Sequence, residues 1–139
     1  MDNAIAEKQK KTVVFHWTGS KLAESAINWL NNRLDGKGSV GYNYIIAENG
    51  DIFMLANPCS RWMHNTGLGT NFDKQTISIA FAAINADGIN KKQLKAAKEL
   101  VVHLRHDFEC TYTHHAALND KKPDFPKDFW EKVKNYLEI

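Results

Sequence analysis

The chain of 139 residues is 43% hydrophobic and 11% aromatic, which is enough for one compact domain with a core of its own. Its 18 Lys and Arg nearly balance 16 Asp and Glu, and the basic patch at Lys8, Lys10 and Lys11 is small, so a nucleic-acid-binding protein is disfavoured. No segment approaches the roughly 20 apolar residues of a membrane span, and the N-terminus lacks the apolar core of a secretion signal. We expect a soluble monomer that is made in the cytoplasm.

The two cysteines, Cys59 and Cys110, stand in no CxxC pair and have no histidine at zinc-finger spacing. Neither a disulfide framework nor a structural zinc motif is therefore predicted. The two residues could pair with each other, but isolated cysteines are often buried, and we expect two buried thiols.

The first predicted element is a buried strand over Thr12–His16, because the run TVVFH is β-branched and aromatic. The turn-forming Thr18-Gly19-Ser20 follows this strand. Ser20 is predicted to cap a helix that ends near Gly36. The apolar face of that helix comprises Leu22, Ala26, Ile27, Leu30 and Leu34.

A β-hairpin is predicted next, with strands at residues 41–47 and 52–55. Its turn is Glu48-Asn49-Gly50-Asp51, where Asn-Gly supplies the positive-φ positions of a tight turn. Residues 56–75 form a long irregular stretch, the usual place for a functional site. Residues 76–84 are apolar enough for a strand at the centre of a sheet.

Two more helices complete the predicted fold. One starts at Asn90, with Gln93 completing a capping box, and shows Leu94, Ala97, Val101, Leu104 and Phe108 at helical spacing. The last enters at Pro126 and buries Phe129, Trp130, Val133 and Leu137. The element order predicts an α/β (α+β) single domain, in which a mixed β-sheet is flanked by about three helices. We assign residues 12–139 to this domain and residues 1–11 to an N-terminal extension.

A candidate metal site lies in the run THHAALNDKKPDF, where His114 and Asp124 bracket Lys122. Catalytic zinc takes three protein ligands from His, Asp, Glu or Cys and leaves a fourth position for water, whose pKa falls to about 7. His16, at the end of the first predicted strand, is the candidate third ligand. The run itself is read as a loop before the last helix.

Five segments of the chain resemble zinc-dependent N-acetylmuramoyl-L-alanine amidases, a superfamily that includes amidase-type phage lysozymes and peptidoglycan recognition proteins. The segments are TVVFHWTGS, GYNYIIAENGDIF, WMHNTG, TISIAF, and THH followed by KPDF, and they occur in the family's order. The resemblance covers residues 12 to 130. Its strongest part is the spacing of eight residues from His114 to Lys122 and two more to Asp124.

The resemblance implies that Zn²⁺ is the cofactor, held by His16, His114 and Asp124. It also implies that Lys122 is the catalytic lysine and that Tyr42 matches the tyrosine of the phage-type members. Zinc would activate water and polarise the carbonyl while Lys122 donates to the oxyanion. Tyr42 could orient the water, donate to the oxyanion or pass a proton to the leaving amine. Without the resemblance, these two residues read as a half-buried strand tyrosine and a solvated loop lysine.

The WMHNTG segment resembles the part of the family's sequence that lines the substrate cleft. Trp62, His64 and Asn65 are therefore candidate contacts to the muramyl sugar or stem peptide, although Trp62 is equally compatible with core packing. For His115 we expect a structural role, with a hydrogen bond to the metal site as the alternative.

Two positions depart from common family patterns. Ala80 stands where recycling amidases and other members often carry a glutamate, which together with Tyr42 favours the tyrosine-dependent phage type. Asp124 stands where phage lysozymes and animal catalytic members often have cysteine, and aspartate is an adequate zinc ligand.

We predict from these features a zinc amidase that cleaves between N-acetylmuramic acid and L-alanine of peptidoglycan. It would act like an endolysin on the cell wall after release or export. The alternatives are a non-catalytic peptidoglycan-binding module, an intracellular muropeptide-recycling amidase, and an interaction domain without metal.

Overall fold

The computed structural model describes residues 10–33, 41–59, 66–118 and 127–139. Five strands form one sheet: β1 (Thr12–Trp17), β2 (Tyr44–Ile46), β3 (Ile52–Met54), β4 (Thr76–Phe81) and β5 (Thr111–His114). Three longer helices accompany the sheet: α1 (Ala23–Arg33), α3 (Lys91–Asp107) and α5 (Lys127–Leu137). Two helices of four residues, α2 (Thr70–Asp73) and α4 (His115–Leu118), complete the described elements, together with a 3-10 turn at Ala86–Gly88.

The strand order in the sheet is β3-β2-β4-β1-β5. The pairs β2–β4, β4–β1 and β1–β5 are parallel, and the β2–β3 hairpin is antiparallel, so the predicted mixed sheet is confirmed. Every residue of β4 is buried, as expected for a central strand. The strand ends at Phe81, earlier than predicted, and Ile84 is 64% exposed.

The two faces of the sheet carry separate clusters of buried side chains. One cluster contains Phe15 and Phe81 and is covered by α3 and α5. The other is smaller, contains Ile45 and Ala80, and packs against α1. Because side chains alternate along a strand, Phe15 faces the first cluster and the following His16 faces the second.

The predicted hairpin turn is confirmed, with one correction. The amide of Ala47 donates to the carbonyl of Asp51, and the amide of Gly50 donates to the carbonyl of Ala47. Gly50 has a φ of +92°, whereas Asn49 is not among the described residues with positive φ. One positive-φ residue is sufficient because the connection has three residues rather than two. A Cβ at Gly50 would also lie 3.1 Å from the carbonyl oxygen of Lys92.

The predicted start of the first helix was wrong. The helix begins at Ala23, whose amide donates a hydrogen bond to the Glu48 carboxylate at 3.3 Å, and Ser20 does not cap it. The hydroxyl of Thr18 instead closes a local turn with the backbone of Ser20. Leu22, assigned to the apolar face, is 48% exposed because it precedes the helix. The predicted end, at Leu34 and Gly36, lies outside the described residues.

Two segments expected to be irregular contain regular structure. The run that holds His114 was read as a loop, but its first two residues, Thr113 and His114, belong to strand β5 beside β1. The stretch 56–75 contains the short helix α2. Neither four-residue element has enough apolar residues to give a clear periodic pattern.

The two later helices match their predictions. Asn90 and Gln93 form the expected capping box, and Ala97, Val101 and Leu104 are buried. In α5, Trp130 and Val133 are buried, while Phe129 is partly buried and Pro126 lies outside the described residues. No described helix has both the length and the apolar character to cross a membrane.

Gln93 joins α3 to the sheet as well as capping the helix. Its side chain is fully buried, and its Nε2 donates to the carbonyls of Ile46 and Ala82 at 3.2 and 2.9 Å. Its Oε1 accepts from the amide of Asn90 at 3.0 Å. Because these partners are at the ends of β2 and β4, Gln93 fixes the helix against both strands.

We expect Gln93→Leu to reduce the free energy of unfolding by about 1–3 kcal/mol, since it removes the buried donor and opens the capping box. Denaturant unfolding measures this change. The matched control is Lys95→Leu, an exposed position on the same helix, where the expected change is within about 0.5 kcal/mol. Equal stability of the two variants would contradict the role assigned to Gln93.

Candidate functional site

The candidate site lies at the C-terminal end of β1, on the α1 side of the sheet. His16 is the penultimate residue of β1 and is only 4% exposed. Its neighbour in register on β4 is Ala80, which is fully buried. A methyl group there leaves room for the imidazole between the sheet and the elements that close over it.

His16 is in direct contact with His115, the first residue of α4. The Nδ1 atoms of the two rings are 3.2 Å apart, and the ring centroids are 4.7 Å apart in an edge-on arrangement. His115 directly follows the last residue of β5, which is parallel to β1. The two histidines therefore meet because their strands end side by side.

Tyr42 lies on the other side of His16. The two ring centroids are 5.2 Å apart, and Tyr42 is half-buried at the edge of the cluster beneath α1. Its position is fixed by the next residue, Asn43, which is fully buried and exchanges hydrogen bonds with Ser78 of β4. The side-chain amide of Asn43 also donates to the carbonyl of Ala56 at 3.0 Å.

Thr66 contacts the site through its backbone. Its carbonyl oxygen lies 3.2 Å from Nε2 of His115, and a carbonyl can only accept, so this ring nitrogen donates. The Thr66 amide and hydroxyl both donate to Oδ1 of Asp73, at 3.2 and 2.6 Å. Thr66 and Asp73 are both buried. The Asp73 carboxylate therefore holds Thr66 in place against His115.

His114 has a different environment from His115. It is in register with Phe15 of β1, and its ring lies 5.0 Å from that of Trp130 in α5. By the alternation of side chains along β5, Tyr112 and His114 share the face covered by α3 and α5. On the α1 face, the structure brings His115 into contact with His16.

The other predicted site residues lie outside the described part of the chain. They are Trp62, His64, Asn65, Lys122 and Asp124. Within residues 10–33, 41–59, 66–118 and 127–139, no group of three or more His, Cys, Asp or Glu is arranged to hold a metal ion. The imidazole nitrogens of the described histidines are suitable zinc ligands. Nε2 of His16 and Nδ1 of His114 are buried from solvent.

Cys59 and Cys110 are both partly exposed, and not fully buried as expected. Burial is nevertheless the main cause that raises the pKa of Cys110 to about 11, with nearby Lys10 acting weakly in the opposite direction. Burial also lowers the pKa of Lys10 to about 8. The Cys110 thiol is therefore protonated at neutral pH, which makes it a poor metal ligand and a poor nucleophile.

A groove of about 370 Å³ adjoins Tyr42 and runs along α1. Its lining includes Thr18, Ser20, Ser25, Trp29, Leu30 and Tyr42. Trp29 is 58% exposed, which is unusual for so large an aromatic side chain. The groove thus presents hydroxyl groups and an aromatic face beside the histidine cluster, the combination found in sites that bind sugars or peptides.

Sequence reasoning missed the contributions of Thr66, Asp73 and Trp29, and it gave His115 a structural role. The position of His115 could have been found from the alternation in Thr111-Tyr112-Thr113-His114, since β-branched and aromatic residues favour a strand. The contact of Thr66 with Asp73 spans seven residues that include only the four-residue helix α2, which is too short to give a periodic pattern.

Comparison with known families gives a match over most of the chain. The sequence model for the N-acetylmuramoyl-L-alanine amidase family matches residues 6–126. Among curated protein sequences, none matches the chain.

Solved structures show the same fold at low sequence identity. The endolysin N-acetylmuramoyl-L-alanine amidase LysCS from Clostridium intestinale is 18% identical with a TM-score of 0.71, over 96% of this chain and 87% of that one. The Ph2119 endolysin of a Thermus scotoductus bacteriophage is 19% identical with a TM-score of 0.64, over 91% and 82% of the two chains. Peptidoglycan Recognition Protein-1 of Manduca sexta is 20% identical with a TM-score of 0.59, over 81% and 70%.

Proposed function

Since the chain belongs to the N-acetylmuramoyl-L-alanine amidase family, we propose that it hydrolyses, with zinc, the amide between N-acetylmuramic acid and L-alanine of peptidoglycan. The observation that carries this proposal is the cluster of His16, His115 and Tyr42 at the end of β1. It combines imidazole nitrogens suited to zinc with a phenol that can serve in acid–base chemistry.

Zinc, when bound, lowers the pKa of a coordinated water and polarises the scissile carbonyl. We propose that His16, Asp124 and one histidine of the His114–His115 pair hold it. The family's spacing favours His114 as that histidine. Asp124 is included among the proposed zinc ligands because of the sequence resemblance.

Tyr42 and Lys122 are the proposed catalytic side chains. Amide hydrolysis passes through a tetrahedral oxyanion, which a cation or a hydrogen-bond donor stabilises. Lys122 supplies the cation in this proposal, on the evidence of its spacing from Asp124. Tyr42 is supported by its ring contact with His16, a proposed zinc ligand, and its hydroxyl can donate to the oxyanion or to the leaving amine.

The substrate is proposed to bind across the segment that contains Trp62, His64 and Asn65. This assignment is supported by Thr66, the residue that follows Asn65, because its carbonyl reaches His115 at 3.2 Å. We place further substrate contacts in the groove beside Tyr42, where Trp29 offers an aromatic face to a sugar or peptide group.

Within the family, we assign the chain to the cell-wall-lysing, endolysin-like type. Ala80 is in register with His16, so the position where recycling amidases often carry a glutamate has no carboxylate to offer here. Tyr42 lies beside His16 and provides the alternative polar group. Both features favour the tyrosine-dependent chemistry of phage-type members.

Purified peptidoglycan incubated with the protein should release stem peptides with a free N-terminal L-alanine. Mass analysis of the fragments identifies the cleaved bond, and metal analysis of the protein identifies the cofactor. A chelator should abolish release, and added zinc should restore it, because zinc held by the proposed ligands would supply the activated water. Binding to peptidoglycan without cleavage, with zinc present, would instead support a recognition module.

Asp124→Ala and Lys122→Ala should have separable effects. Loss of Asp124 removes a zinc ligand, so zinc content should fall together with activity. Loss of Lys122 should leave zinc content unchanged and reduce kcat about 100-fold or more, as removal of an oxyanion donor does. Full activity of Lys122→Ala would rule out its catalytic role.

Tyr42→Phe should lower kcat at least about 10-fold while zinc content and stability stay unchanged, because only the hydroxyl is removed. The matched control is Tyr136→Phe, since Tyr136 is an exposed residue of α5, on the opposite side of the sheet. A Tyr42→Phe rate equal to that of the control would exclude the tyrosine-dependent type.

A further inference from the structure

The backbone leaves regular strand geometry just before β2, and this departure places Tyr42 beside His16. Tyr44, the first residue of β2, is buried in the cluster that α3 and α5 cover. In a regular strand Tyr42 would share that face, because residues two apart point the same way. Tyr42 instead packs against the other cluster, beneath α1, with its ring centroid 5.2 Å from that of His16. The backbone bends at Asn43, the residue between the two tyrosines.

Hydrogen bonds between Asn43 and Ser78 hold this bend against the central strand. Tyr44 is in register with Ile79 of β4, so the preceding Asn43 lies opposite Ser78. The amide of Asn43 donates to the Ser78 hydroxyl oxygen at 2.9 Å. The amide and the hydroxyl of Ser78 both donate to Oδ1 of Asn43, at 3.0 and 3.2 Å. Three hydrogen bonds therefore join the two residues.

Asn43 is also bonded on its other side, to the residues that follow β3. Its Nδ2 donates to the carbonyl of Ala56 at 3.0 Å. Its own carbonyl accepts from the amides of Leu55 and Ala56, at 2.8 and 3.3 Å. The bend that carries Tyr42 is thus held between β4 and the end of the hairpin.

The Asn43–Ser78 pair is polar in a place where the sheet is otherwise mostly apolar. Both residues are fully buried, and buried polar groups are tolerated only when they are hydrogen-bonded. A bonded network of this kind specifies one arrangement of the backbone, which an apolar contact does not. An alanine at position 78 would suit a buried strand, so we attribute the serine to the backbone position that its hydroxyl defines.

We propose that Ser78 is a positioning residue for the amidase reaction and that it acts through Asn43 to hold Tyr42 beside His16. This inference rests on the proposed function and on the catalytic assignment of Tyr42. Ser78 lies two residues before Ala80, the neighbour of His16 in register, and is itself fully buried. Loss of its hydroxyl removes the acceptor of the Asn43 amide, so the backbone that carries Tyr42 shifts.

The test measures peptidoglycan hydrolysis by Ser78→Ala, alone and combined with Tyr42→Phe. We expect Ser78→Ala to lower kcat about 10-fold, because a displacement of about 1 Å at a reacting group can cost up to about 100-fold. KM should stay within about twofold, since Tyr42 acts in the transition state. Zinc content should not change. In the Tyr42→Phe protein, Ser78→Ala should lower kcat less than about twofold, because the hydroxyl that it positions is already absent.

The matched control is Thr76→Val, which removes another buried hydroxyl from the same face of β4. Thr76 is fully buried, and its hydroxyl donates to the carbonyl of Asp73 at 2.9 Å. Both Ser78→Ala and Thr76→Val should reduce the free energy of unfolding. Only Ser78→Ala should reduce kcat, so loss of stability and loss of positioning are separated.

A second measurement follows Tyr42 directly by NMR of protein labelled at tyrosine. The Tyr42 signal is identified by its absence from the Tyr42→Phe spectrum. It should shift in Ser78→Ala and keep its position in Thr76→Val. Circular dichroism shows whether Ser78→Ala has folded. If it has not, Ser78→Cys takes its place, because a thiol has similar size and is a weaker acceptor.

Three results would overturn the inference: an unchanged kcat in Ser78→Ala, an equal loss of kcat in Thr76→Val, or the same loss from Ser78→Ala with and without the Tyr42 hydroxyl. An unmoved Tyr42 signal in Ser78→Ala would overturn it as well. Failure of the unchanged protein to release stem peptides would instead refute the proposed function. The NMR comparison then still tests whether Ser78 holds Tyr42, so the two failures are distinguishable.

Discussion

The parallel pairing of β1 with β4 on one side and β5 on the other determines where His16 and His115 lie. Because β1 is held on both edges, its register is fixed along its length, and a shift of one residue would exchange Phe15 and His16 between the two faces. Such a shift would put an imidazole into the core under α3 and α5. The burial of Phe15 between Phe81 and Trp130 opposes it, with ring centroids 5.9 and 5.8 Å away.

The same register separates two adjacent histidines that the sequence presents as equivalent. The motif THH specifies a histidine near the end of β5, and both residues satisfy that requirement. Only the pairing of His114 with Phe15 tells which ring faces the core and which follows on the other side.

Much of the fold could be predicted because its elements carry strong local signals. The capping box at Asn90 and Gln93, the turn at Gly50 and the mostly apolar run of β4 each depend on neighbouring residues alone. The start of α1 was missed because its first amide is bonded by Glu48, 25 residues further along the chain. The pairing of Thr66 with His115 is likewise a contact between distant segments, and no sequence period encodes it.

The site is built at the edge of the core and not within it, and this position separates function from stability. The buried residues beneath α3 and α5 contact one another on the face away from His16 and His115. On the site's own face, small side chains such as Ala26, Ala80 and Ala82 replace the bulky residues of the other face. Small residues there let α1 and the loops approach closely while leaving volume for imidazole rings and a groove. The sheet therefore stabilises the protein through one face and presents its polar chemistry on the other.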